Sequence, residues 1–271
     1  MNPELPPQQT NDESFLLHKW YADCISDTGD TLIAYHGLAR WKKLTICYSS
    51  LLTLIGDAPV STQYSIKRDE EPSCEGSVVR WHSQDLGLEG MWTAIDPAYS
   101  ETLFSSRAGV VNWRCLQPRA SVEIRWGNGR TLSGLGYVER LEMSIPPWKL
   151  PVDELLWGRF VSRSDSLVWI DWRGPVHKRL FLHNGLRIES GNVEEHMISF
   201  GTAASLTFGQ SALLRKGELG TVALAALSMI KKLLPRRILD VEETKWRSRA
   251  TFTYAEPHEG WAIHEVVKWP R

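Results

Sequence analysis

The feature that most constrains the fold is a period-two alternation of apolar and polar residues, which recurs in short stretches along the chain. Residues 111–115 and 122–126, for example, carry an apolar side chain at every second position. This period is that of an antiparallel β-strand with one buried face. Asn-Gly pairs at Asn128–Gly129 and Asn184–Gly185 mark tight hairpin turns between such strands. The chain is therefore predicted to be all-β, built from antiparallel β-barrels or sandwiches.

Interruptions of the alternation predict how the strands are divided. Residues 117–119, with a central proline, predict a short turn between the strands at 111–115 and 122–126. A third strand is predicted from Thr131 to Ile145, which completes a meander. Three prolines between residues 146 and 151 exclude a strand interior. We therefore predict two β domains, at residues 14–146 and 147–271, as two small barrels or two packed sheets.

One helix is predicted in the second domain, near residues 219–234. Leu224, Leu227 and Leu234 form an apolar stripe at helical spacing, and Pro235 stops the helix. We expect this helix to cover a face of the sheet. The alternative is a helix that makes transient contact with a membrane surface.

Charge and cysteine content exclude several classes of function. The 31 Lys and Arg residues and 32 Asp and Glu residues leave a net charge of −1, which provides no basic surface for nucleic acid. The four cysteines lie far apart, so we expect reduced thiols in a soluble cytoplasmic protein. Gly134 and Gly136 lack the third glycine and the helix of a dinucleotide-binding loop, and the histidines lack metal-ligand spacing. No cofactor, metal or nucleic-acid partner is predicted.

The 13 tryptophans are more than an ordinary core needs. Leu, Ile and Val fill a core without the indole N–H, which must find a hydrogen-bond partner when it is buried. The tryptophans either fill a wide barrel interior or line a pocket for an extended apolar or cationic ligand. The residues predicted to bind substrate are Trp113, Trp126, Trp157, Trp169, Trp172 and Trp261.

Three carboxylates share a strand face with apolar or aromatic side chains. Glu139 lies in an apolar row on the strand from Thr131, Asp171 shares its face with Trp169, and Glu265 shares its face with Ile263. A carboxyl group that is removed from water has a raised pKa and is a usable general acid.

The alternative for each of these acids is an ion pair with an inward-facing arginine, such as Arg125, Arg159 or Arg173. If the acids act in catalysis, Glu139 and Asp171 are the first candidates and Glu265 is the third. Tyr137 is predicted to orient the acid.

Three short motifs stand out along the chain: Lys19-Trp20-Tyr21, then Ser26-Asp27 and Gly29-Asp30, and the mid-chain segment 134–139. They resemble motifs of the tandem-lipocalin family, which includes carotenoid 1,2-hydratase (hydroxyneurosporene synthase), AttH-like proteins and fungal lipocalin-like pericyclases. The early motif departs from the Glu-Trp-Trp-Tyr run that is usual in the family. The resemblance implies two consecutive lipocalin-like barrels and a hydrophobic polyene or polyketide ligand.

Three functional hypotheses follow. The first is a cofactor-independent hydratase or cyclase of an isoprenoid or polyene-like substrate, in which Glu139 or Asp171 protonates an alkene or polarises a carbonyl. Tryptophan faces would stabilise the developing positive charge. The second is a pericyclase that folds a flexible polyketide-type substrate into a reactive shape. The third is a non-catalytic carrier of a hydrophobic metabolite.

Overall fold

The computed structural model describes residues 15–201, 204–222 and 234–270, and it has two antiparallel β-sheets that follow one another in the chain. This architecture confirms the all-β prediction. The first sheet comprises β1 (Phe15–Ile25), β2 (Thr31–Trp41), β3 (Leu44–Leu54), β4 (Ser61–Ser65), β5 (Ser73–Glu75), β6 (Val78–Ser83), β7 (Leu88–Ala94), β8 (Tyr99–Ser106), β9 (Gly109–Trp126) and β10 (Arg130–Met143). The second comprises β11 (Glu154–Val161), β12 (Ser166–Arg173), β13 (Lys178–His183), β14 (Leu186–Ile188), β15 (Gly191–Val193), β16 (Met197–Phe200), β17 (Ala204–Glu218), β18 (Glu242–Thr253) and β19 (Pro257–Lys268).

Both sheets have the same connectivity. In each, the first strands meander outward, and the last strand returns to pair with the first, as β10 does with β1 and β19 with β11. The strand order is β4-β3-β2-β1-β10-β9-β7-β6-β5 in the first sheet and β14-β13-β12-β11-β19-β18-β17-β16-β15 in the second. The topology is therefore repeated, although no internal repeat is visible in the sequence.

The connection between the sheets runs from Met143 to Glu154 and contains the proline cluster. The boundary at residues 146–147 stays a prediction, and below we call the segments that form the first and second sheet the first and second domain. A short 3-10 helix, Pro147–Lys149, places Trp148 between Phe15 and Trp41, with ring centroids 5.8 and 4.9 Å apart respectively. The connection thus packs against the first sheet.

The predicted turn at residues 117–119 is wrong, because β9 continues through it as one strand of 18 residues. β9 changes its neighbour there: residues 109–115 pair with β8, and residues 120–126 pair with β7. On the β10 side, Gln117 pairs with Val138 and Ala120 pairs with Gly136, which leaves Pro118 inside a bulge. Proline is tolerated at a bulge because no ladder hydrogen bond needs its missing N–H.

Gly136 has a packing role that the sequence alone did not assign. A Cβ atom at this position would lie 2.0 Å from the Asp23 carbonyl oxygen on β1 and 2.7 Å from Val122 Cγ2 on β9. The backbones of β10 and β1 therefore approach too closely for a side chain here.

We expect Gly136→Ala to lower the free energy of unfolding by about 1–3 kcal/mol, because the methyl group must displace backbone. Urea titration followed by tryptophan fluorescence measures this change. Gly37→Ala is a matched control on β2, since its Cβ would meet nothing closer than 3.8 Å. If the two variants had the same free energy of unfolding, β1 and β10 could move apart to accommodate the methyl group without loss of stability.

Three hydrophobic clusters divide the molecule. One fills the interior of the first sheet, where Trp20, Trp81, Trp92 and Trp126 are buried, and another fills the interior of the second sheet around Trp169. The third lies between the two sheets and contains both buried and partly buried tryptophans. Its tryptophans are Trp41, Trp113, Trp148, Trp157, Trp172, Trp261 and Trp269. More than half of the tryptophans therefore lie at the interface between the domains.

The predicted helix at residues 219–234 is only partly covered by the described residues. They contain two short helices, α1 (Leu219–Val222) and α2 (Arg236–Leu239), while residues 223–233 lie outside the described part of the chain. Neither of the described helices has the length and apolar character needed to cross a membrane.

Candidate active site

A cavity of about 420 Å³ lies between the two domains, within the size range of small-molecule sites. Strands of both sheets, the 3-10 helix and α2 contribute to its wall. Most of the wall is aromatic or aliphatic, with Phe15, Trp41, Trp113, Trp148 and Trp172 among the lining side chains. The cavity is therefore an apolar site that neither domain forms alone.

Alternation along β10 directs Glu139 into this cavity. Tyr137, Glu139 and Leu141 share the face that turns toward the second domain, whereas Val138 points into the interior of the first sheet. The apolar row that was predicted from the sequence is thus an interdomain face. Glu139 lies in that row among cavity-lining residues.

Three donors converge on one oxygen of the Glu139 carboxyl group. Oε2 accepts hydrogen bonds from Trp113 Nε1 at 2.6 Å, Tyr137 OH at 2.7 Å and Trp157 Nε1 at 3.2 Å. No described side chain donates to Oε1. Because Oε2 has only two lone pairs and already faces three donors, a proton on this carboxyl group belongs on Oε1. Trp113, Tyr137 and Trp157 therefore fix the orientation of the acid.

Burial raises the pKa of Glu139 above its ordinary value, and the nearby carboxylate of Glu265 acts in the same direction. The hydrogen bonds from Trp113 and Tyr137 and the charge of Lys19 oppose this effect without cancelling it. Burial also raises the pKa of Tyr137 well above its usual range, so the phenol remains a donor. A raised pKa favours the protonated form of Glu139, which is the form that a general acid requires.

Glu265 lines the same cavity but has the opposite electrostatic character. Its carboxylate forms an ion pair with Lys245, whose side chain is only 2% exposed. Burial acts to raise the pKa of Glu265, but the charges of Lys245 and Lys19 more than offset burial and hold the pKa below its usual value. Two carboxyl groups of one cavity thus favour different protonation states, which is the arrangement of an acid and a base.

Four residues around this ion pair were not predicted from the sequence. Lys245 Nζ donates to Tyr35 OH at 2.7 Å and lies 3.6 Å from Glu243, which in turn lies 3.5 Å from Arg215. Residues 242–247 are mostly polar and charged, which is typical of an exposed strand. Only the docking of the two domains buries them, so no signal within β18 identifies them.

The structure places Asp171 outside the cavity. Its carboxylate is fully buried and accepts hydrogen bonds from Arg173 Nε at 2.8 Å and Arg179 Nε at 3.1 Å, with His177 Nε2 at 2.9 Å. This is the arginine pairing that the sequence left as the alternative. Glu139 and Glu265 share one site, and Asp171 does not belong to it.

The six tryptophans predicted to bind substrate lie in different parts of the structure. Trp113, Trp157 and Trp172 line the cavity. Trp126 and Trp169 are buried in the interiors of the first and second sheets. Trp261 lies in a second, more polar cleft, where the guanidinium groups of Arg247 and Arg249 lie about 5 Å from its ring. The sequence shows that a tryptophan lies on a strand, but it does not show which face of the sheet is turned toward the other domain.

An ion pair buried between the domains lies next to the side chains that hold Glu139. Arg159 of β11 donates to Asp23 of β1 from Nε at 2.9 Å and from Nη2 at 2.6 Å, and both side chains are 0% exposed. Tyr21 OH donates to the same carboxylate at 2.8 Å. The Tyr21 ring then packs edge-on against Trp157 and Tyr137 at 5.1 and 5.9 Å. The Tyr21 ring therefore links the Asp23–Arg159 ion pair to Trp157 and Tyr137, which are two of the hydrogen-bond donors to Glu139.

Ser164, Asp165 and His258 meet in the second cleft without forming a catalytic triad. Ser164 Oγ lies 3.0 Å from His258 Nδ1, and Asp165 Oδ2 lies 2.5 Å from the same nitrogen. A triad needs the serine and the carboxylate on opposite ring nitrogens. Triad-type nucleophilic catalysis by Ser164 is excluded in this arrangement.

No protein-family model and no curated protein matches the sequence. Solved structures do match the fold. An AttH-like protein from Nitrosomonas europaea has a TM-score of 0.55 at 12% identity, with 96% of this chain and 94% of that chain covered. Kievitone hydratase from Nectria haematococca has a TM-score of 0.53 at 8% identity, covering 94% and 89% of the two chains.

CghA, a pericyclase, is similar at a TM-score of 0.51 and 8% identity, covering 95% of this chain and 88% of that chain. At these identities the likeness establishes the fold. The resemblance drawn from the sequence motifs is confirmed at that level: this chain has the tandem-lipocalin fold of these three proteins.

Proposed function

We propose that the protein is a cofactor-independent hydratase or cyclase that acts on a hydrophobic, isoprenoid or polyene-like substrate, with Glu139 as its general acid. The observation that carries this proposal is a carboxyl group with a raised pKa, held by three donors on one oxygen and directed into an apolar cavity. The fold is one that supports hydratase and pericyclase activities in other proteins.

In this mechanism Glu139 transfers the proton on Oε1 to one carbon of an alkene. The positive charge develops at the other carbon, where the π faces of Trp113 and Trp157 stabilise it and the apolar wall excludes bulk water. In a hydratase, one water molecule attacks this carbon and its surplus proton returns to the Glu139 carboxylate. In a cyclase, a second double bond of the substrate attacks this carbon, and the Glu139 carboxylate then takes a C–H proton from the new cation, which restores the acid.

The hydrogen bonds to Oε2 assist this step. When Glu139 gives up its proton, the carboxylate charge develops next to Trp113, Tyr137 and Trp157, which already donate to it. Donors placed in advance cost no reorganisation during the reaction. The same residues therefore hold the acid before proton transfer and stabilise its conjugate base afterwards.

The pH dependence of turnover tests the acid. We expect the rate to be maximal at low pH and to fall as the pH rises through the raised pKa of Glu139, because only the protonated group can donate. Polyenes extracted from the purified protein are returned to it in water labelled with heavy oxygen and analysed by mass spectrometry. A product that has gained one labelled water identifies a hydratase, and an isomer of unchanged composition identifies a cyclase.

A pericyclase is the second candidate, and the predominantly apolar wall of the cavity favours it. Such an enzyme would fold a flexible polyketide-type chain and need no proton donor. Its rate would not change with pH across the titration of Glu139. Recovery of an unaltered ligand after prolonged incubation would instead identify a carrier and contradict both catalytic proposals.

A further inference from the structure

Positive charge is concentrated at one end of the cavity, around a single tyrosine ring. The ammonium group of Lys19, the guanidinium carbon of Arg215 and the ammonium group of Lys245 lie 5.1, 5.3 and 5.4 Å from the centroid of Tyr35. All four residues line the cavity. We refer to Lys19, Arg215 and Lys245 as the cationic end.

Two of these cations are neutralised by carboxylates of the protein. Lys245 pairs with Glu265 and lies near Glu243, and Arg215 lies 3.5 Å from Glu243. Both carboxylates come from the second domain, as do both cations. The two cations and two carboxylates form a closed network, which balances its own charge.

Lys19 is left outside this network. It lies on β1 in the first domain, and no carboxylate of the described residues lies within ion-pairing distance of its ammonium group. Its contact with the protein is the face of Tyr35, which attracts a cation but does not neutralise it. With Glu139 in its acid form, the charges of the described residues that line the cavity sum to one positive charge, and Lys19 carries it.

A half-buried cation on an apolar wall is costly unless an anion accompanies it. The described residues place no carboxylate in ion-pair contact with Lys19, whereas the cavity has room for a ligand that brings one. We propose that the ligand is an amphiphile, with a hydrocarbon body against the tryptophan wall and a carboxylate or enolate oxygen bound by Lys19. This proposal rests on the proposed function, since it names the substrate class of the same cavity.

The position of Lys19 also indicates where on the ligand the reaction takes place. Lys19 pairs in register with Leu141, and its neighbour on the same face, Tyr21, pairs with Glu139. Lys19 is near enough to Glu139 and Glu265 to lower the pKa of each. A head group on Lys19 therefore places the adjacent carbons, rather than the distal end of the chain, beside the acid.

Two probes that differ only in the head group test this inference. All-trans-retinoic acid carries a carboxylate, and all-trans-retinol carries a neutral hydroxyl on the same polyene. Their dissociation constants are measured by quenching of tryptophan fluorescence with the full chain. We expect the wild type to bind the acid about tenfold or more tightly than the alcohol, because only the carboxylate forms an ion pair with the Lys19 ammonium group.

Lys19→Met is expected to remove this preference and to leave retinol binding unchanged, while Lys19→Arg keeps the preference. Lys43→Met is the matched control, since Lys43 is exposed and does not line the cavity. Equal affinity of the wild type for both probes overturns the proposal, as does a Lys19→Met variant that still prefers the acid. Weaker binding of both probes by Lys19→Met overturns it too, because the side chain would then act through packing alone.

The test requires no turnover, so it is independent of the acid assignment. A preference for retinoic acid together with a flat pH–rate profile would support the head-group site at Lys19 and contradict proton donation by Glu139. Equal affinity for both probes, together with a rate that falls as the pH rises, would support Glu139 as the acid and contradict the anionic head group.

Discussion

Replacement of Glu139 by glutamine is expected to lower kcat by about 10²–10⁴-fold, the usual contribution of a positioned proton donor. The glutamine side chain has nearly the same shape, and its carbonyl oxygen can accept from Trp113, Tyr137 and Trp157. It then presents an amide to the cavity, which has no acidic proton to transfer. Ligand binding, measured by tryptophan quenching, should change little.

The same variant gives a readout that needs no substrate. A protonated carboxyl group has a carbonyl infrared band that a carboxylate lacks, and we expect the band of Glu139 to persist at pH values where exposed acids are ionised. Glu139→Gln should remove it. Glu123→Gln is the control, since Glu123 is exposed on the neighbouring strand β9. A Glu139→Gln enzyme with full activity would exclude general-acid catalysis by this residue.

Replacement of Arg159 by methionine is expected to lower the free energy of unfolding by about 3–5 kcal/mol, because removing one partner leaves a desolvated charge without its counter-ion. Asp23 and Arg159 are both 0% exposed, and their two hydrogen bonds join the first strand of each domain. Urea titration measures the loss. Replacing both partners, as Asp23→Leu with Arg159→Met, should recover much of it.

The chain offers a closely matched control for this experiment. Four residues further along the same two segments, Arg163 pairs with Asp27 at 3.2 Å, and these side chains are 88% and 84% exposed. Exposed pairs contribute about 0–1 kcal/mol, so Arg163→Met should be nearly silent. If both arginine variants lost the same stability, burial would not determine the contribution of the interdomain pair.

The alternation of apolar and polar residues correctly predicted features that are determined within a single strand. The row that contains Tyr137, Glu139 and Leu141 was visible from its period of two, as was the row that contains Ile263 and Glu265. The strand break at Pro118 was predicted wrongly, since the sequence does not show that β9 changes its neighbour there and bulges.

The features that were missed depend on how two domains meet. A period of two separates the faces of a strand, but it does not identify the face that enters a barrel interior and the face that enters an interface. Trp126 and Trp113 have the same local pattern, and only the second reaches the cavity. Lys245 and Arg215 carry no local signal of burial in the sequence, and the structure brings both against Tyr35 of the other domain.

Since the cavity lies between the domains and both sheet interiors are filled by their own side chains, a ligand bound in the cavity would be part of the interface. Separation of the domains would divide the cavity wall, so an occupied cavity must be emptied before the domains part. Ligand binding and domain association are then one linked equilibrium, in which an occupied cavity stabilises the docked state by RT ln(1 + [L]/Kd). Resistance to proteolysis in the connection between Met143 and Glu154 should therefore rise with ligand concentration, and the size of the rise reports the affinity.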